Sequence, residues 1–209
     1  DKINTNSLLI IKDNKIIFER HKPTYNRHTK YLSWSIAKTI SALLIGIAEK
    51  EGLITRADSI GKIFPWLQPQ KTSITFDHLL RMSSGIHFSE IYDGVVWEHD
   101  VHSMLFKHGS NDMGKYVLQL PMDHNPGDRF YYSSGDSNLM MFLLKQYMDS
   151  EKYNRYPFEK LFLPLGIKNA TFEQDGSGTF IGSSFVYLSS EDYAKIGQLF
   201  LNKGVFNGH

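Results

Sequence analysis

Residues 35–51 read SIAKTISALLIGIAEKE and run directly into Gly52. Apolar side chains fill most of this stretch, which predicts a helix buried on several faces and stopped by the glycine. Ser33 or Ser35 stands at its start. Upstream, residues 7–20 read SLLIIKDNKIIFER, two β-rich runs around Asp13-Asn14 that suit a hairpin. A polar stretch, residues 21–30, joins hairpin to helix. Downstream, loop signals gather through Pro65 and Pro69. Residues 75–82 (TFDHLLRM) then predict a short helix with Thr75 as N-cap and Gly85 beyond its end. The pattern from Phe88 to Asn125 is weak and rich in His, Asp and Gly, which predicts irregular structure and short helices. Pro126-Gly127 marks a turn. Helices are predicted over residues 136–148 and 157–163, with Lys152 to Arg155 a solvated turn between them. Residues 179–188 are strand-like. Residues 190–202 (SEDYAKIGQLFLN) are amphipathic, capped by Ser190 and stopped by Gly204. No internal repeat or low-complexity segment interrupts this order, which predicts an α/β layer with a helical insertion.

The 209 residues suit one large domain or two small ones. Hydrophobic residues at 41% and charged residues at 22% argue against disorder, collagen or coiled coil. With 23 Lys+Arg against 22 Asp+Glu, bulk charge gives no support to a nucleic-acid or anionic-membrane role. The chain has no cysteine, which removes disulfide scaffolds, thiolate zinc sites and cysteine nucleophiles, and leaves the compartment open. The longest apolar stretch, residues 40–48, is interrupted by Ser41 and falls short of the roughly 20 residues that span a bilayer. No positively charged leader precedes it.

Ser35-Ile36-Ala37-Lys38 is a Ser-x-x-Lys, and positions i and i+3 share one face of a helix. A serine in the first turn sets backbone N–H groups and the positive helix end beside any oxyanion it creates. A lysine beside it can accept the hydroxyl proton only in its neutral form, which burial favours. The pattern is short, and chance supplies roughly one or two copies in a chain of this composition. A second copy, Ser59-Ile60-Gly61-Lys62, contains a helix-weakening glycine and runs into Phe64-Pro65, so it is a decoy. Read alone, Ser35 and Lys38 are a capping serine and a helix-rim lysine. A second element, Pro126-Gly127-Asp128-Arg129-Phe130-Tyr131-Tyr132-Ser133-Ser134-Gly135, delivers aromatics to the mouth of the next helix. A tyrosine held there can exchange a proton with a serine; read alone, it is aromatic packing under a turn.

Four features recur in one order: Ser35-x-x-Lys38; residues 78–85 (HLLRMSSG); Pro126-Gly127-x-x-Phe130-x-Tyr132-Ser133; and residues 189–199 (SSEDYAKIGQL). Together they resemble the serine β-lactamase-related hydrolases, most closely the class C, esterase and 6-aminohexanoate-dimer hydrolase branches, from about Ser7 to the end of the chain. The resemblance implies an α/β (α+β sandwich) fold of the β-lactamase/transpeptidase type: an antiparallel sheet flanked by helices, with a mostly helical second lobe. On that pattern residues 1–209 form a single domain, with about 1–60 and 171–209 in the α/β part and about 61–170 in the helical lobe. It also implies that Ser35 is acylated by a small ester or amide, that Lys38 takes its proton, and that Tyr132 shares the base work and protonates the leaving group. The Ser35 N–H and a strand N–H would form the oxyanion hole, and no cofactor or metal is implied. Ser134, Trp97, Tyr92 and Asp93 are the expected substrate contacts.

Two departures stand out. Where the family commonly has Tyr-x-Asn, this chain has Tyr132-Ser133-Ser134, and a serine cannot supply both functions of an amide. That favours an esterase or amidase over an efficient β-lactamase. The family's third motif, Lys-Thr-Gly or His-x-Gly on an edge strand, finds no match before His209, so the chain is expected to lack the C-terminal strands of the fold. Lys71-Thr72-Ser73 is a near miss at the wrong place in the order. A non-turnover penicillin- or peptidoglycan-binding sensor and an inactive homologue are the alternatives. The resemblance favours a periplasmic or secreted protein slightly, with the cytoplasm open. His99-Asp100-Val101-His102, with His108 and His124, invites a zinc reading, but no His-Glu-x-x-His is present and solvated or pocket-lining histidines are the simpler account. Met140-Met141 reads as core.

Overall fold

The computed structural model describes residues 4–92 and 99–206. Strands β1 (Ser7–Lys12) and β2 (Lys15–His21) pair antiparallel, with Lys12 opposite Lys15. Asp13 and Asn14 between them have φ of 49° and 60°. A two-residue hairpin needs left-handed backbone at both positions, and these two side chains tolerate it well. Strand β3 (Tyr31–Leu32) enters a second antiparallel sheet of order β3-β5-β4, with β4 at Thr171–Phe172 and β5 at Val186–Leu188.

Helix α1 (Ile36–Lys50) forms as expected, and Gly52 turns the chain away from it with φ of 71°. Ala37, Ile40, Leu44, Ile45 and Ala48 are fully buried. Each isoleucine or leucine removed from water there contributes about 1.5–3 kcal/mol. Three short helices follow, α2 (Ile60–Ile63), α3 (Pro69–Thr72) and α4 (Phe76–Leu80). The weakly patterned middle resolves into α5 (Asp100–Phe106), a 3₁₀ turn (His108–Asn111) and α6 (Met113–Gln119). Then come α7 (Ser134–Lys145), α8 (Ser150–Pro157) with a π turn (Phe158–Phe162), and α9 (Ser190–Leu201). Helices flanking antiparallel strands are the arrangement the resemblance implies.

Local capping chemistry accounts for the differences from the expected boundaries. At α4 the predicted Thr75 cap is present, but its reciprocal partner is His78: Thr75 Oγ1 accepts the His78 N–H at 3.2 Å, and His78 Nδ1 accepts the Thr75 N–H at 3.2 Å. Lys152 to Arg155 lie inside α8 and are not a turn. Asp149 caps that helix by accepting the Lys152 N–H at 2.8 Å, and buried Tyr153 and Tyr156 anchor its inner face. The cap of α9 is Ser189, which accepts the Asp192 N–H at 3.2 Å, while Ser190 is the first helical residue. Of the strand-like run 179–188, only Val186–Leu188 is a strand. Its early part is drawn into a turn by Asp175, whose Oδ1 accepts the Ser177 and Thr179 N–H groups at 3.0 and 2.9 Å.

Residues 182–186 lie along α1 and are stitched to it. Ser33 Oγ donates to the Ser184 carbonyl at 2.8 Å, and the Ser33 N–H donates to the Val186 carbonyl at 2.8 Å. Lys38 Nζ donates to the Ser183 carbonyl at 3.0 Å, and Ser41 Oγ to the Gly182 carbonyl at 2.9 Å. From the other side, Asn138 of α7 accepts the Ser183 N–H at 3.0 Å. Gly182 is the point of closest approach: a Cβ there would lie 2.5 Å from Met141 Cγ and 2.6 Å from Ser41 Oγ. Gly182→Ala should therefore destabilise the fold by about 1–3 kcal/mol, read as a lower urea midpoint; an unchanged midpoint would contradict this close packing.

Candidate active site

The chain turns from β3 into α1 through Trp34, which has φ of 43°. A bulky residue in left-handed backbone costs on the order of 1–3 kcal/mol. Five non-glycine residues among those described have positive φ: Asp13, Asn14, Trp34, Met82 and Lys203. The first two form the hairpin turn and Lys203 follows α9. Met82 lines one pocket with Tyr131 and Asp136, and Trp34 leads directly into Ser35. Trp34 presents Ser35 at the N-terminal end of α1, and the Met82 carbonyl accepts the Tyr131 N–H at 2.8 Å. Gly127, with φ of 90°, completes the turn before Tyr131 and donates its N–H to the Ser83 carbonyl at 2.8 Å. The next residue, Tyr132, reaches Ser35.

Three expected residues meet there. Ser35 Oγ accepts a hydrogen bond from Tyr132 OH at 2.7 Å and one from Lys38 Nζ at 3.2 Å. The Lys38 ammonium position lies 5.1 Å from the centroid of the Tyr132 ring, and the Ser183 carbonyl fixes it from behind at 3.0 Å. Lys38 is only 8% exposed, whereas Tyr132 is open to the cleft. A hydroxyl flanked by two groups able to exchange its proton, at the positive end of a buried helix, can serve as a nucleophile. The second Ser-x-x-Lys does not assemble: Ser59 is extended and Lys62 pairs with Asp58 at 3.0 Å.

Glu90 organises the far side of the cleft, and sequence reasoning did not single it out. Its carboxylate accepts the Ser134 N–H and the Ser134 hydroxyl, both at 2.7 Å, and the Tyr92 hydroxyl. It thus caps the start of α7 two residues after Tyr132. Ser134, expected to touch substrate, is 1% exposed and gives both its donors to Glu90. Tyr92 is exposed and donates its hydroxyl proton to Glu90. Asp93 and Trp97 lie outside the described residues. Glu90 sits in a segment without helical or strand periodicity, so only the unpaired donors at the start of the next helix hint at a missing acceptor.

The histidines do not converge. His99 Nδ1 lies 2.7 Å from Ser89 Oγ, Asp100 accepts from the Ser89 N–H and from Tyr116 OH, and the His108 ring packs on Tyr116. Among the described residues no cluster of histidine and acidic groups could hold a metal ion.

Helices flanking an antiparallel sheet, with the serine at the head of the buried helix, make up the β-lactamase-like fold. The sequence matches the family model described as Beta-lactamase over residues 2–199, and the chain belongs to that family. Protein flp of Staphylococcus aureus (strain MW2) is 25% identical over 180 residues, covering 80% of this chain and 34% of that protein. An Escherichia coli (strain K12) protein provisionally described as a D-alanyl-D-alanine carboxypeptidase is 23% identical over 188 residues, covering 79% of this chain and 42% of that protein. A Bacillus anthracis structure provisionally described as a 6-aminohexanoate-dimer hydrolase superposes with a TM-score of 0.81 at 19% identity, covering 98% of this chain and 56% of the other. That likeness shows the fold. The chain spans about a third of the length of flp and little more than half of the Bacillus anthracis chain.

Asp136, in the first turn of α7, is 2% exposed. Burial pushes its carboxyl up to about 7, against the opposing hydrogen bonds from Ser84, and the nearby Glu90 carboxylate adds to the rise. A carboxyl held above its unfolded value binds its proton more tightly when folded. The stability it contributes is full below about pH 4 and is lost as pH rises through about 7. Asp136→Asn should flatten the pH dependence of the thermal midpoint between those limits. An unaltered slope in the variant would remove Asp136 as its source.

Proposed function

We propose that the chain is the catalytic part of a serine hydrolase that forms an acyl-enzyme on Ser35 with small ester or amide substrates. The observation that carries this reading is the convergence of Lys38 Nζ and Tyr132 OH on Ser35 Oγ, at 3.2 and 2.7 Å. In the amine form, Lys38 takes the Ser35 proton as Oγ adds to the substrate carbonyl. The Ser35 N–H at the helix end faces the developing oxyanion. Tyr132, on the open side of the cleft, returns a proton to the departing alcohol or amine. Water then attacks the ester carbon, the same pair removes its proton, and the acid product leaves with Ser35 restored.

The engagement of Ser134 by Glu90 supports an esterase or amidase over an efficient β-lactamase. No side-chain amide stands two residues after Tyr132 to hold the amide of a β-lactam, and the serine in its place has both donors committed. The likeness to proteins provisionally described as an amide-dimer hydrolase and a carboxypeptidase supports the same class. A second reading, a penicillin-recognising sensor that is acylated and not turned over, draws support from likeness to a penicillin-binding protein homologue of Pyrococcus abyssi, with a TM-score of 0.72.

In the full-length protein, Ser35→Ala and Lys38→Ala should each reduce hydrolysis of p-nitrophenyl acetate to background. Tyr132→Phe should lower kcat by about 10²–10⁴-fold, the usual contribution of a positioned acid–base group. A fluorophosphonate should add once to the intact protein and not to Ser35→Ala. Substantial ester turnover by Ser35→Ala would falsify the nucleophile assignment. A β-lactam adduct that persists for hours without ester turnover favours the sensor.

Glu90→Gln tests whether the hold on Ser134, two residues after Tyr132, bears on the chemistry. The amide offers one acceptor oxygen where three donors converge on the carboxylate. The expected outcome is a fall in kcat larger than any change in KM, together with a lower thermal midpoint from the buried Ser134 donor left unpaired. An unchanged kcat separates Glu90 from the placement of Tyr132.

A further inference from the structure

A line of aromatic rings runs from Trp34, next to Ser35 in the chain, through Phe185, Phe106 and His102 to Tyr92. Successive ring centroids are 6.2, 6.0, 6.4 and 5.8 Å apart. Tilted and edge-on contacts at such distances favour one another, so the line holds together as a surface. Trp34, Phe106 and Tyr92 nevertheless remain more than half exposed. Helix α5 supplies two of the rings from one face, His102 and Phe106 at i and i+4, while Val101, Met104 and Leu105 go to the core.

Three short chain connections link this line to the Ser35–Lys38–Tyr132 group. Trp34 precedes Ser35 in the chain. Phe185 follows two residues after Ser183, whose carbonyl holds Lys38. Tyr92 is tied through Glu90 to Ser134, two residues after Tyr132. The leaving group departs where Tyr132 can protonate it, at the Tyr92 end of the line, which leaves the end that begins at Trp34 for the group bonded to the scissile carbonyl. Exposed rings in a cleft bind apolar matter and offer no charge partner to an ionic substituent.

We propose that this aromatic surface binds the acyl portion of the substrate, and that the preferred substrates are esters or amides of uncharged aryl or medium-chain alkyl carboxylic acids. The assignment rests on the hydrolase reading of Ser35 and adds the substrate class to it. The first two ring-to-ring steps, 6.2 and 6.0 Å, carry the surface from Trp34 to Phe106, a reach that suits a phenyl ring or a medium-length alkyl chain.

Calorimetric titration of the full-length Ser35→Ala protein with octanamide and with acetamide reads the surface without turnover. Octanamide should bind at least about tenfold more tightly, since each methylene removed from water adds to affinity. Phe106→Ala in the same background should remove most of that advantage. Phe106 is 51% exposed at the end of α5, so its truncation leaves the core contacts of that helix in place. In the active protein, the kcat/KM ratio of p-nitrophenyl octanoate to acetate should fall about tenfold in Phe106→Ala. Equal affinities for the two amides, or an octanamide advantage that survives Phe106→Ala, overturn the proposal. Failure of the hydrolase reading shows separately, as the absence of any Ser35-dependent fluorophosphonate adduct.

Discussion

The approach of the 182–186 backbone to α1 is the constraint on which the rest depends. Gly182 has no side chain to hold the segments apart, so carbonyls of residues 182–184 come within hydrogen-bond reach of Ser41, Lys38 and Ser33. Those carbonyls are buried and need partners, and the side chains that serve them are buried and need acceptors. Each side removes the desolvation cost of the other. The same contact sets Lys38 behind Ser35 and starts β5 beside β3, so core packing, sheet pairing and the placement of the site follow from one close contact.

The cleft concentrates the unfavourable features of the structure. Trp34 and Met82 hold left-handed backbone without being glycine, and Asp136 and Glu90 bring two carboxyl groups to the first turn of one helix. The burial of α1 and α7 offsets these terms. In return Ser35 stands at the N-cap of α1, and Tyr132 lies in the chain between Tyr131, held by the Met82 carbonyl, and Ser134, held by Glu90. A flexible loop could bring the same groups together, but only by losing the entropy of ordering them at each encounter.

The hairpin, α1 and the caps of the later helices were legible because each rests on a local rule. Asp13-Asn14 accepts positive φ, Gly52 ends a helix, and Thr75 accepts an amide proton, whereas at α9 the cap falls on Ser189, one residue before Ser190. Errors arose where a neighbour in the chain was outweighed by a contact far along it. Lys152 to Arg155 look solvated, but Tyr153 and Tyr156 between and beside them are buried against residues that periodicity does not reveal. Thr179 has strand character, yet Asp175 holds its backbone in a turn.

The sequence by itself determined that a buried helix begins at a serine with a lysine one turn on, and that a tyrosine follows a proline-glycine turn before another helix. Those are short-range relations, set by helical spacing and backbone preference. Only the tertiary structure decided that Tyr132 meets Ser35 across 97 residues, and that Glu90 holds the start of α7. It alone decided that Ser134 serves Glu90 and that rings from four separate segments form one surface. These depend on which segments the burial of α1 forces together, and no local pattern encodes that choice.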